Sequence, residues 1–207
     1  MAQLDLRRQL KQFYLPSAKA IAEVEVPAFT FLMVDGQGDP NHSVDYTEAV
    51  EALFTVAYTA KFAVRKSPGG CDYAVMPLEG LWWADDLAAF QSGDRASWRW
   101  TMMILQPDFV PHATLQAAIA QAGAKKKLPA LPRLRIETLE EGHCAQILHV
   151  GPFTEEGPVI ERLHAYIGER GQLRGRHHEI YLSDIRRADP SRWKTIIRQP
   201  LARQSLE

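Results

Sequence analysis

Apolar residues recur along this chain in two rhythms, and each predicts a different element. Across residues 43–66, Tyr46, Val50, Leu53, Phe54, Ala57, Tyr58 and Phe62 return every three or four positions, the spacing of one helix face. Ser43 or Asp45 can cap its start, and Ser67-Pro68-Gly69-Gly70 stops it. Residues 28–34, 73–83 and 98–106 are instead apolar runs of strand length, the first followed by a turn-rich D-G-Q-G-D-P-N.

The second half repeats this order. Residues 144–150 read as a strand, with 133–139 as its hairpin partner across Glu140-Glu141-Gly142-His143. Gly151-Pro152 turns the chain, and Thr154 can cap a helix that ends near Gly171 and shows Val159, Ile160, Leu163, Tyr166 and Ile167 on one face. Strands at 178–183 and 193–198 follow. Near the two ends, R-W-T-M-M-I-L-Q-P at 99–107 and R-W-K-T-I-I-R-Q-P at 192–200 share Arg, Trp, Ile, Gln and Pro in register. The chain therefore reads as an α+β protein of two tandem strand–helix–strand–strand modules related by a pseudo-twofold, with antiparallel sheets. Module one covers about 25–109 and module two about 133–202, with a connecting helix and a proline-broken linker at 110–132. Each module alone leaves a sheet face uncovered, so the two are expected to form one compact body with a ligand cleft at the seam.

Composition narrows the partners. Hydrophobic content of 46% and charged content of 24% are those of a folded globular chain, and a net charge of −1 favours neither nucleic acid nor an acidic membrane. Lys125-Lys126-Lys127 reads as a solvated helix end. Cys71 and Cys144 lie far apart without C-x-x-C spacing, so neither a zinc site nor a disulfide framework is expected. The charged amino terminus is unlike a signal peptide and no run approaches a membrane span, which predicts a cytoplasmic protein with no membrane partner.

The chain carries no Walker loop, no G-x-S-x-G and no H-E-x-x-H, and Gly36 and Gly38 do not open a dinucleotide site. His177 and His178 point to opposite faces of a strand and read as a satisfied surface pair. His149, ending an apolar strand, reads either as hydrogen-bonded structure or as part of a site wall. The strands that return after each helix are more informative, because each holds a glutamate among apolar residues. Alternation puts Glu79 with Leu81 and Trp83 on one face and Leu78 with Trp82 on the other, and it pairs Glu179 with Tyr181. One reading is a solvent-facing carboxylate beside ordinary core aromatics. The other is a glutamate desolvated by aromatic walls, with a raised pKa and a use as proton acceptor or cation partner near neutral pH. That chemistry points to flat, apolar or cationic small molecules, with the aromatics stacking on them.

Several of these stretches resemble one known family: D-G-Q-G-D-P-N, D-Y-T-E-A-V-E-A-L-F-T-V-A-Y-T-A-K-F, V-M-P-L-E-G-L-W-W, W-T-M-M-I-L-Q-P-D-F-V, I-L-H-V-G-P-F and H-H-E-I-Y-L-S-D are similar to the GyrI-like small-molecule-binding domain, over about residues 25–201. In transcription regulators of that family the domain senses drugs beside a helix-turn-helix. Only about 25 residues precede module one here, too few for such a reader. The P-L-E-G-L-W-W pattern resembles a stand-alone branch that hydrolyses cyclopropane-bearing genotoxic natural products of the yatakemycin and duocarmycin type. The resemblance implies Glu179 as the central carboxylate that deprotonates a water, with Tyr181 in the catalytic position beside it. It also implies Trp82, Trp83 and Tyr181 as aromatic walls, Tyr58 as a further wall or else a core tyrosine, and Glu79 as the second candidate base; His149 stays a lining candidate from its place at the strand end alone. No metal or organic cofactor is implied. The other expectations under the same family name are a sequestering multidrug-binding module, a ligand-sensing partner of a regulator, and an inhibitor of a large enzyme.

Overall fold

The computed structural model describes residues 3–84 and 97–203. In chain order the elements are α1 (Leu6–Gln9), α2 (Lys11–Tyr14), β1 (Ala22–Val26), β2 (Phe29–Gln37), α3 (Val44–Lys66), β3 (Leu78–Trp83), β4 (Arg99–Gln106), α4 (His112–Lys125), β5 (Arg135–Leu139), β6 (Gly142–Val150), α5 (Gly157–Gly168), β7 (Gly171–Leu173), β8 (His177–Tyr181) and β9 (Lys194–Arg203). The described residues divide into two units, 3–6 with 29–84 and 97–139, and 7–28 with 140–203. Among the described residues no helix is long and apolar enough to cross a membrane.

In the first unit the strands lie in the order β5–β2–β4–β3, every pair antiparallel. Trp100 and Trp82 face each other across β4 and β3, and Tyr46 of α3 meets both rings at 5.4 and 6.4 Å, so this side of the sheet is the one the helix covers. Gly36 opposes Trp100 on β2, and a Cβ there would lie 2.1 Å from the indole; only glycine leaves room for the ring. Ser43 caps α3, its hydroxyl accepting from the Tyr46 amide at 3.2 Å. The face buried by α3 is narrower in side chains than the periodicity predicts. Ala49, Ala52, Leu53, Val56, Ala57 and Ala60 go inward, whereas Tyr58 and Phe62 stand outward and nearly half exposed. Alanines let the helix approach the sheet closely, and the aromatic positions 54, 58 and 62 stack on one another along its outer side instead.

The second unit has the order β1–β6–β9–β8, again antiparallel, with β7 also paired to β9. Position for position this is the order of the first unit, so each half forms the same α+β arrangement of antiparallel strands and helix. One expected pairing is overturned. Strand β5 does not form a hairpin with β6; it pairs with β2 in the first unit, while β6 takes β1, drawn from the opposite end of the sequence. A short turn at Glu140-Glu141-Gly142 looks like a hairpin loop in sequence, but the chain passes from the first unit to the second between residues 139 and 140, and Gly142, with φ of 67°, opens β6.

Helix α5 buries Leu163 and Ile167 against Ala145, Ile147, Ile197 and Leu201. Its cap is Glu156 rather than the expected Thr154, which lies in the short 3-10 turn Phe153–Glu155. The other face of this sheet holds a buried polar network. Arg198 donates to the Phe13 carbonyl at 2.8 Å, to Gln146 Oε1 at 3.0 Å and to Glu141 Oε2 at 3.1 Å. His178 Nδ1 lies 3.0 Å from both Glu141 oxygens. Burial alone would push the Glu141 carboxyl up, but the charges of His178 and Arg198 outweigh it and hold the group at about 2. His178, expected at the surface, is thus wholly buried; its partner Glu141 hides in what reads as a turn.

Candidate functional site

The two strand glutamates do not occupy equivalent places. Across β3 and β4, Leu78 opposes Ile104 and Gly80 opposes Met102; across β8 and β9, Glu179 opposes Ile197 and Tyr181 opposes Thr195. Ile104 and Ile197 are matching positions of the repeated R-W…Q-P stretch. Glu179 therefore corresponds to Leu78, and the counterpart of Glu79 is Ile180. Alternation then separates the two carboxylates by face. Glu79, fully buried, lies on the side of its sheet away from α3, together with Leu81 and Trp83. Trp82 lies on the α3 side among Tyr46, Trp98 and Trp100. Glu179 lies on the side that α5 covers, since its cross-strand neighbour Ile197 belongs to the α5 core. The uncovered face expected of this module is therefore not the one that carries Glu179.

Glu179 sits at the rim of this covered face, where side chains are partly open to solvent. Tyr181 donates its phenolic hydrogen to Glu179 Oε2 at 2.8 Å, and His177 Nε2 lies 3.1 Å from Oε1. The three alternate residues of β8 thus present one row, with the His177 and Glu179 side chains 12% and 15% exposed. Over it folds the turn that precedes α5. Phe153 meets the Tyr181 ring edge-on at 5.7 Å and the Trp193 ring at 4.9 Å, making an aromatic corner beside the carboxylate. His149, on β6, is buried on the same side as Thr195, its cross-strand partner, and its Nε2 stands 3.2 Å from the Pro152 carbonyl, which ties down the turn. Tyr58 belongs to the other unit, on the outer side of α3.

The sequence reading passed over a second carboxyl here. Glu156 is 4% exposed, and burial first, then the negative charge of Glu179, raises it to about 8; the nearby Thr195 side chain tempers the rise without standing in bonding geometry. Burial and its neighbour thus both favour the neutral, protonated form of Glu156. His164, further along α5, is lowered by burial and then by His177. Among the described residues no cluster of His, Cys, Asp or Glu is placed to hold a metal ion. A carboxyl fixed by two neighbours, a second, buried carboxyl whose proton is held more tightly, and an aromatic corner suit acid–base work on an aromatic ligand.

A family model described as the GyrI-like small molecule binding domain matches residues 19–202. The chain belongs to the GyrI-like family. This GyrI-like protein is also similar to solved structures along its whole length. One, an uncharacterized conserved protein from Listeria innocua, is 38% identical with a TM-score of 0.87, covering 97% of this chain and 100% of its own. A hydrolase from Listeria innocua is 37% identical with a TM-score of 0.82 and the same coverage. The C-terminal domain of EcmrR, at 11% identity and a TM-score of 0.54 over 89% of this chain and 98% of its own, shares the GyrI-like fold alone. No curated protein sequence matches the chain.

Proposed function

We propose that this GyrI-like protein is a hydrolase that opens the cyclopropane ring of planar genotoxic natural products of the yatakemycin and duocarmycin type, protecting the cell from their alkylation of DNA. The observation that carries the reading is the row His177–Glu179–Tyr181 under the Phe153–Trp193 corner, a held carboxylate beside aromatic surface. The similarity to a Listeria protein named a hydrolase supports turnover over storage. In the reaction, Glu179 accepts a proton from water as the water oxygen bonds to a cyclopropane carbon. The strained carbon–carbon bond breaks, its electron pair passes into the conjugated ring system that bears it, and a proton from the pool of the site neutralises that charge. Tyr181 and His177 hold the carboxylate at near-attack distance, and the aromatic rings of that corner stack on the flat ligand.

Incubation of substoichiometric protein with a cyclopropane-bearing alkylator, followed by chromatography of the ring-opened product, tests this. Many equivalents of product are expected, and E179Q should abolish turnover while still binding planar ligands. Disappearance of no more than one equivalent sinks the hydrolase and leaves a sequestering module.

A further inference from the structure

Glu156 occupies the cap position of α5, where a side-chain oxygen ordinarily accepts from the first free amides of the helix. Its side chain makes no such bond. The carboxyl turns into the protein instead, where Oε1 is buried without a hydrogen-bond partner, as is Oγ1 of Thr195. The turn that carries Glu156 is pinned beside β8 by the Phe153 contacts with Tyr181 and Trp193, Tyr181 in turn bonds Glu179, and Glu156 is the more deeply buried of the two carboxyls. A carboxyl that forgoes a helix cap for an unsatisfied buried position is a local conflict of the kind that functional sites keep.

We propose that Glu156 is a positioning residue for Glu179: the two form a carboxyl pair that shares one proton, and that proton keeps Glu179 on its Tyr181 and His177 partners as the single negative charge of the site. Two carboxylates side by side in a buried place repel strongly, so the pair ionises fully only when one member can move away. Among the described residues no cation is bonded to Glu156. His177, Glu179 and Tyr181 share the α5 side of β8, with Thr195 on that side of β9 and His149 on that side of β6; His164 lies further along α5, and Glu155 beside Glu156 in the turn. Loss of the proton then displaces Glu179 from its partners and stops its work as a base. The effect on turnover rests on the hydrolase reading, but the shared proton does not.

Two measurements separate these. Denaturant unfolding across pH is compared for wild type and E156Q, which stays neutral. Because the native state holds this proton more tightly than the unfolded chain, wild-type stability relative to E156Q falls as pH rises from 4.5 to about 8. In carbon-13 NMR the Glu156 carboxyl titrates near the upper end of that window, and in E179Q it titrates at lower pH. Turnover of the alkylator is then followed over the same range: wild type loses activity above about pH 8, whereas E156Q is several-fold slower at neutral pH and shows no alkaline fall. Equal stability slopes, or a Glu156 titration that E179Q leaves in place, overturn the pair. An alkaline fall that persists in E156Q overturns its positioning role. Normal slopes and shifts with no turnover in any protein leave the pair standing and remove the hydrolase instead.

Discussion

Tyr181 Oη donates to Glu179 Oε2 at 2.8 Å from two residues along the same strand, so the backbone itself sets the geometry of this bond. Alternation in β8 places both side chains on one side of the same strand. A hydrogen bond to a charged acceptor contributes about 1.5–3 kcal/mol. Y181F should therefore lower kcat of the proposed hydrolysis by about 10- to 100-fold while changing affinity for planar ligands little. Steady-state kinetics beside equilibrium binding checks the split.

The adjacent tryptophans of β3 should answer to different assays. Trp82 is 5% exposed against Tyr46 and Trp98, so W82A opens a cavity and costs about 3–5 kcal/mol, on the order of 10 °C in Tm. Trp83 is half-buried on the Glu79 side. W83A should weaken binding of an aromatic ligand several-fold with a smaller loss of Tm. Thermal melts and fluorescence titration of both variants decide it; equal Tm losses would remove Trp83 as a ligand contact.

Glu141 makes stability fall in acid. Its carboxyl, held at about 2 against an ordinary 4.5, binds its proton more weakly in the native state than in the unfolded chain. The contribution is therefore complete above about pH 5 and is lost as pH falls toward about 2. E141Q removes the buried carboxylate that Arg198 and His178 both meet and should cost about 3–5 kcal/mol at neutral pH, with a flatter acid limb. Urea unfolding at a series of acid pH values measures both.

The cysteines should differ sharply in reactivity. Burial, with Glu141 adding, pushes the Cys144 thiol up to about 12, which leaves almost no thiolate at neutral pH. Cys71 is only partly buried. A disulfide reagent should label Cys71 alone in the native protein and both after unfolding; rapid native labelling of Cys144 would contradict its burial.

Periodicity carried much of this structure, because helices and strands declare themselves by local spacing. The order of strand, helix, strand and strand, the Ser43 cap and the R-W…Q-P repeat were all legible. Register was not. Alternation assigns Glu79 and Glu179 to faces of their own strands, but only the cross-strand neighbours Met103 and Ile197 reveal that those faces differ. The β5–β6 hairpin failed for a related reason: closeness in sequence favours a hairpin, and nothing local in residues 22–26 announces that they pair with β6. Glu156 was missed because a glutamate in a Gly-Pro-rich turn looks solvated. The turn that carries it is held by Phe153 against Trp193 and Tyr181, which come from three places in the chain.

The pairing of β1 with β6 also orders events in time. Ala22 lies opposite Gln146, so during synthesis β1 emerges long before the strand it will join. For that whole interval its backbone donors and acceptors have only water, or another chain, to bond with. The first unit can gather its own sheet meanwhile, but the second waits for its last strand as well as its first. Such long-range closure makes folding slow and leaves an early strand open to misassociation. Crowded nascent chains of this protein should consequently depend on chaperones most in the period before β6 is made.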